Sequence, residues 1–158
     1  MKLFLAIDPG AVSGAWGAVD DFGRYWDCQD IPHSDGKIDS VGLRRAIELS
    51  MGSASFEIAI ELVGSMPRQG VSSTYKFGRA VGAIEAVCEL TGCSVTYIRP
   101  AKWKKEMVLT SDKHSSLNMA RDLFPSAKLA KVKDHNKAEA LLLALWLQRS
   151  LHSTENEL

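Results

Sequence analysis

The sequence predicts an α/β fold: a mixed five-stranded sheet, its first three strands antiparallel, flanked by helices. Three observations carry this. Three strand-like runs open the chain with only turn chemistry between them. Strands then alternate with helical patterns in the order β-β-β-α-β-α-β-α-α-α, which is an α/β order. The composition, 46% hydrophobic and 24% charged over 158 residues, is that of one globular domain able to bury a sizeable core.

Residues 2–8 are an apolar run of β-formers that stops at Pro9-Gly10, a buried strand followed by a turn. Residues 15–19 read as a second strand, and Asp20-Asp21-Phe22-Gly23 supplies hairpin chemistry before a third at 24–31. Apolar spacing through Val41, Leu43, Ile47 and Leu49 predicts a helix over 40–51 with Ser40 as N-cap. Residues 56–61 form a compact strand ending in Glu61, and 64–70 a loop. A long helix over 73–91 carries Gly78 and Gly82, four apart, which suggests close backbone packing. A strand at 94–98 precedes helices at 101–109 and 112–124 and a basic linker at 125–133. The last helix, 134–151, is dense in Ala and Leu and so buried over much of its surface. Residues 1–151 are expected to form a single domain, with 152–158 a polar tail.

No apolar run reaches the roughly 18 residues of a membrane span. Asp8 also interrupts the N-terminal run before a signal-peptide core completes, so a cytoplasmic protein is expected. Cys28, Cys88 and Cys93 lack ligand-like spacing, which argues against a disulfide framework or zinc site; Cys88 and Cys93 read as small core residues. The formal net charge of zero hides a segregation. Residues 1–65 hold five Lys/Arg against ten Asp/Glu, and residues 99–137 hold ten against four. Such a basic stretch fits a polyanion-binding face, and equally a solvated charged surface.

Four acids stand out. Asp8 and Glu61 end strands, where α/β folds place ligands and chemistry; Asp134 and Glu139 begin the last helix. If they converge, their repulsion requires cations, and oxygen-preferring Mg²⁺ or Mn²⁺ suit carboxylate and water ligands. Two such ions about 4 Å apart would serve in-line phosphodiester cleavage. Taken singly, Asp8 reads equally as a turn residue and Asp134 as a helix cap. Glu61 after Ile-Ala-Ile and Glu139 within Ala-Glu-Ala-Leu-Leu-Leu-Ala are harder to explain without a partner. Asp134 and Glu139 are five apart, about 140° around a helix, so Asp134 joins the site only from a non-helical approach. His135 and Asn136 lie on the face of Glu139; His135 is a possible ligand or proton carrier, or a surface histidine.

Together these residues resemble the RuvC family of Holliday-junction resolvases, in the RNase H-like superfamily, and within it the small phage-type branch. The resemblance runs from Ala6-Ile7-Asp8-Pro9-Gly10 and Ile58-Ala59-Ile60-Glu61, through Met66-Pro67-Arg68-Gln69-Gly70 and Tyr75 to Gly82, to Pro100-Ala101-Lys102-Trp103-Lys104-Lys105. It continues at Asp112-Lys113 and Leu123-Phe124-Pro125 and closes at Asp134-His135-Asn136-Lys137-Ala138-Glu139-Ala140. The ordered series, not any one motif, carries it.

The resemblance implies an RNase H-like fold and a homodimer that nicks two opposing strands of a four-way DNA junction, leaving ligatable ends. It implies Asp8, Glu61, Asp134 and Glu139 as the acids that hold two Mg²⁺ ions, with Mn²⁺ able to substitute. Many bacterial members end in two aspartates three apart, which would put Asn136 in the site. Asn136 is a poor anionic ligand, and the fourth position is assigned to Asp134. Lys113 matches a basic catalytic residue near the scissile phosphate, and Lys102 or Lys104 another, with Lys105 beside them. Met66 takes the place of an apolar wedge at the junction centre, or of an ordinary exposed loop residue. Arg68, Lys76 and Arg79 would contact phosphates. The helix with Gly78 and Gly82 corresponds to the dimer-forming region, though glycine packing against the domain's own sheet would explain it equally.

Two other readings stay open: the same fold and metal site acting on RNA–DNA hybrid or other branched DNA, and a module that grips junctions without cutting. An actin-like phosphotransferase needs a second comparable half, so no nucleotide cofactor is expected. Trp103, flanked by lysines, is the one tryptophan that suggests DNA contact.

Overall fold

Alternation along the first strand, Lys2–Asp8 (β1), divides the interior into two cores. Leu3, Leu5 and Ile7 pack on one side of the sheet with Trp16, Leu43, Ile47 and Ile84. Phe4 and Ala6 pack on the other with Trp103, Leu117, Leu141 and Leu142. The chain, described over residues 1–64 and 70–155 by a computed structural model, is therefore a helix–sheet–helix sandwich.

After β1 come β2 (Ala15–Asp20), β3 (Tyr25–Asp30), β4 (His33–Ser34), β5 (Lys37–Ile38), α1 (Ser40–Met51), β6 (Ser55–Glu61) and α2 (Val71–Glu89). Then follow β7 (Val95–Ile98), α3 (Pro100–Glu106), α4 (Lys113–Leu123), a 3₁₀ turn at Val132–Asp134, and α5 (His135–Glu155). The main sheet has the order β3-β2-β1-β6-β7. The first three strands are antiparallel, as the sequence predicts, and the parallel pairs β1–β6 and β6–β7 make the sheet mixed. Among the described residues no helix is long and apolar enough to cross a membrane.

One helix organises the second core. From Ala138 to Leu147 α5 is buried on every side, the pattern of a helix covered all round. It lies against β2 at Gly17, where an added Cβ would stand 2.8 Å from the Leu141 backbone nitrogen. That contact explains a glycine in a strand interior, a position that otherwise weakens the strand.

Several boundaries differ from expectation. Asp39, not Ser40, caps α1, accepting the Gly42 N–H at 2.9 Å. The β4–β5 hairpin was not anticipated because each arm has two residues; its signal is Asp35-Gly36, both at positive φ, the turn type that suits hairpins. Residues 152–155, expected in a polar tail, continue α5, and the His152 ring packs edge-on against Phe4 at 5.8 Å. The helix expected to reach 109 ends at Glu106. The Val108 N–H bonds the Lys105 carbonyl and the Leu109 N–H bonds the Lys104 carbonyl, closing the helix in a Schellman cap. Val108 holds the left-handed position of that cap at φ 57, where an L-residue costs about 1–2 kcal/mol.

Candidate metal centre

β1 and β6 run parallel with Ile7 opposite Ile60, so Asp8 and Glu61 finish neighbouring strands at one edge of the sheet. By alternation both continue the face of Ala6 and Ala59, the face that α5 covers. Glu139, in the second turn of α5, meets them there. One carboxylate oxygen from each of Asp8, Glu61 and Glu139 lies within 4.8 Å of the other two. Glu61 is 5% exposed and Glu139 9%, so water screens little of their repulsion.

Neighbouring side chains hold the acids in place. The indole N–H of Trp103 donates to Glu61 Oε1 at 2.9 Å. Lys104 Nζ donates to Glu139 Oε1 at 2.8 Å, and the buried Ser116 hydroxyl donates to the same oxygen at 3.1 Å. Burial pushes the Asp8 carboxyl well above its usual range, and the charges of Glu61 and Glu139 push it further, against the pull of Lys104. Burial raises Glu61 too, with Glu139 adding to the rise; the Trp103 hydrogen bond and Lys104 oppose it. The donor set suits a hard divalent cation: three carboxylates, no sulfur, and a single ammonium standing where a cation's charge is needed.

Asp134 lies outside this group of three. Its side chain accepts the Lys131 N–H at 2.8 Å and pairs with Lys137 at 2.9 Å. Burial raises its carboxyl, but those hydrogen bonds outweigh burial and hold it below the usual range. It sits in the 3₁₀ turn just before α5, where the Lys131 N–H engages one of its oxygens and the Lys137 ammonium the other. His135 is also outside the cluster, with Nδ1 3.1 Å from the Val132 carbonyl. The Asn136 side-chain amide donates to the Ser13 carbonyl and ties α5 to the loop that follows Asp8.

Of the basic candidates, Lys104 is drawn onto the acids, while Lys102 and Lys105 are exposed on α3. Lys113 is exposed in the first turn of α4, three residues before Ser116 and hence on the helix face that meets Glu139. Lys76 and Arg79 are exposed on α2 and line a cavity of about 310 Å³ with Lys37 and the loop after β1. Met66 and Arg68 lie outside the described residues. Trp103 is fully buried and has no ring face free for a base.

Trp103 and Ser116 act on the acids from 42 and 23 residues away in sequence, and no spacing rule brings them together. Trp103→Phe should lower the acids' affinity for a divalent cation about tenfold, the usual effect of losing a group that orients a ligand. The Mg²⁺-dependent rise in melting temperature, compared with wild type, checks this.

No protein-family model matches the sequence, and neither does any curated protein. Solved structures do match. T. thermophilus RuvC in complex with a Holliday junction substrate superposes with a TM-score of 0.69 at 20% identity, over 97% of this chain and 96% of that one. A second Thermus thermophilus RuvC structure gives 0.66 at 20% identity with the same coverage. The chain has the RNase H-like fold of RuvC.

Proposed function

We propose that this protein is a Mg²⁺-dependent, structure-selective DNA endonuclease that resolves four-way junctions as a homodimer. The convergence of Asp8, Glu61 and Glu139 at the sheet edge carries the reading, on a fold whose solved example holds a Holliday junction substrate. Asp8, Glu61 and Glu139 would hold two Mg²⁺ ions, for which Mn²⁺ could substitute, while Asp134 braces α5. Bound there, the ions would activate a water and stabilise the leaving 3′ oxygen. The ordered motifs favour the small phage-type branch.

The protein's own groups prepare the site. Trp103 and Ser116 keep two carboxylates from turning away, so the ligand oxygens need little reorganisation. Lys104 neutralises Glu139 until the site is loaded and then serves the scissile phosphate. Lys113, one helical turn from Ser116, faces the same phosphate. Lys76, Arg79, Lys102 and Lys105 grip the flanking backbone without reading sequence.

Paired nicks require two sites related by a two-fold axis. Val71, Tyr75, Gly78 and Gly82 fall on one stripe of α2, with Val71 89% and Tyr75 67% exposed. Among the described residues nothing lies within 4 Å of a Cβ added at Gly78 or Gly82, so these glycines do not pack on the domain's own sheet. This supports α2 as the dimer surface. Gly78→Arg should give a folded monomer by sedimentation that binds junctions weakly and makes unpaired nicks; an unchanged dimer would place the interface elsewhere.

The reading is tested with a labelled mobile four-way junction, a matched linear duplex and an RNA–DNA hybrid, each with Mg²⁺ or EDTA. Paired, Mg²⁺-dependent nicks in the junction alone are expected. Cleavage of the hybrid instead would keep the site and change the substrate. Tight junction binding without cutting in Mg²⁺ or Mn²⁺ would leave a binding module.

A further inference from the structure

The end of α3 is strained beside the acids. In the Schellman cap described above, glycine would take the left-handed position freely, yet the chain places valine there at φ 57. Burial does not account for the choice, because Val108 is 85% exposed. Its side chain instead walls an open cleft of about 650 Å³. Pro100 and Leu109 give this cleft apolar surface, while Lys104, Lys105 and Ser111 give it charge and a hydroxyl. Lys104 is also the residue whose ammonium lies 2.8 Å from Glu139, so one side chain is shared by the cleft and the acids.

We propose that this cleft holds an unstacked nucleotide next to the scissile phosphate, and that Val108 is its specificity-determining contact. The inference rests on the junction-nuclease reading and deepens it. Apolar walls accept the face of a base, the two lysines match the charge of its phosphate, and the Ser111 hydroxyl can donate to or accept from a base edge. Strands exchange at a junction's centre, where bases unstack at the lowest cost. A left-handed, β-branched residue is stiff in both backbone and χ1, so its methyl groups meet the base without being ordered on binding. Strain held at an exposed position fits a residue retained for contact rather than for folding.

The test uses full-length wild type and Val108→Gly, a change that the cap geometry favours; the variant's urea midpoint should rise. Junctions carrying 2-aminopurine at single positions around the crossover are titrated with each protein in EDTA. Wild type should change the fluorescence strongly at one position, and Val108→Gly should lose most of that change at saturating protein. In Mg²⁺ the variant should spread its cuts over neighbouring sequences, with selectivity falling about tenfold, the scale of one apolar contact. Equal fluorescence responses and equal cut maps would overturn the proposal. A wild type that binds, alters the probe and cuts nothing would overturn the nuclease reading and leave the nucleotide site standing. A junction bound by neither protein would overturn both.

Discussion

Under the proposed function Asp8→Asn should abolish cleavage, and it should strengthen the metal-free fold. The cut rate is expected to fall on the order of 10³-fold or more, the scale of losing several kcal/mol of charge stabilisation at the reacting phosphate. In EDTA the variant should be more stable than wild type by about 1–2 kcal/mol, because Asp8 is held against Glu61 and Glu139 at a cost to stability. The pH dependence follows from the same crowding. Asp8 and Glu61 both have raised folded-state pKa values. Each therefore contributes stability at pH below the ordinary carboxylate range and loses it as pH climbs through the raised folded value. Metal-free wild type should lose stability from about pH 4 upward. Asp8→Asn should flatten that slope, and saturating Mg²⁺ should oppose it, since ligand carboxylates must be ionised. Urea titrations across pH, in EDTA and in Mg²⁺, measure all three. A wild type that gains stability steadily above pH 4 in EDTA would contradict the account.

Gly17→Val is expected to be the costliest single change in the sheet. Its first added atom would stand 2.8 Å from the Leu141 nitrogen and 3.0 Å from Leu141 Cγ. Neither can yield without moving α5, whose neighbouring residues are buried. Overpacking of that kind costs about 3 kcal/mol. Glu139 is two residues from Leu141 on the same rigid helix, so the displacement reaches the metal centre. A lowered urea midpoint should therefore come with weaker Mg²⁺-dependent stabilisation. Gly17→Ala should show the same pair of effects, smaller. A destabilised Gly17→Val with full Mg²⁺ response would mean that the helix hinges between Glu139 and Leu141.

What was legible in the sequence was whatever a single element encodes. Asp8 and Glu61 were visible because each ends an apolar strand, and Glu139 because it interrupts an apolar helix. The order of strands and helices implied the mixed sheet, since three consecutive strands before a helix leave little but a meander. Ligand geometry was less legible. Asp134 sits in the 3₁₀ turn just before α5, but Lys137, three residues on, claims its oxygen, and a local ion pair cannot be ranked against a distant one from sequence. Trp103, Lys104 and Ser116 were invisible as partners of the acids because their contacts span 23 to 42 residues and depend on how α3 and α4 dock. Trp103 read as a base-stacking candidate because lysines flank it, whereas its ring is what anchors α3 in the core.

The Lys104–Glu139 contact makes the metal-free centre an internal salt. Under the proposed function, loading would be an ion exchange, in which a tethered monovalent cation gives way to divalent ions. The displaced ammonium gains freedom to meet a polyanion, so under the proposed function cofactor and DNA favour each other's uptake, and by linkage the favour is reciprocal. A Lys104→Met protein would uncouple them. Its Mg²⁺ affinity would no longer respond to junction DNA, and its junction affinity would no longer respond to Mg²⁺, except through the ions themselves.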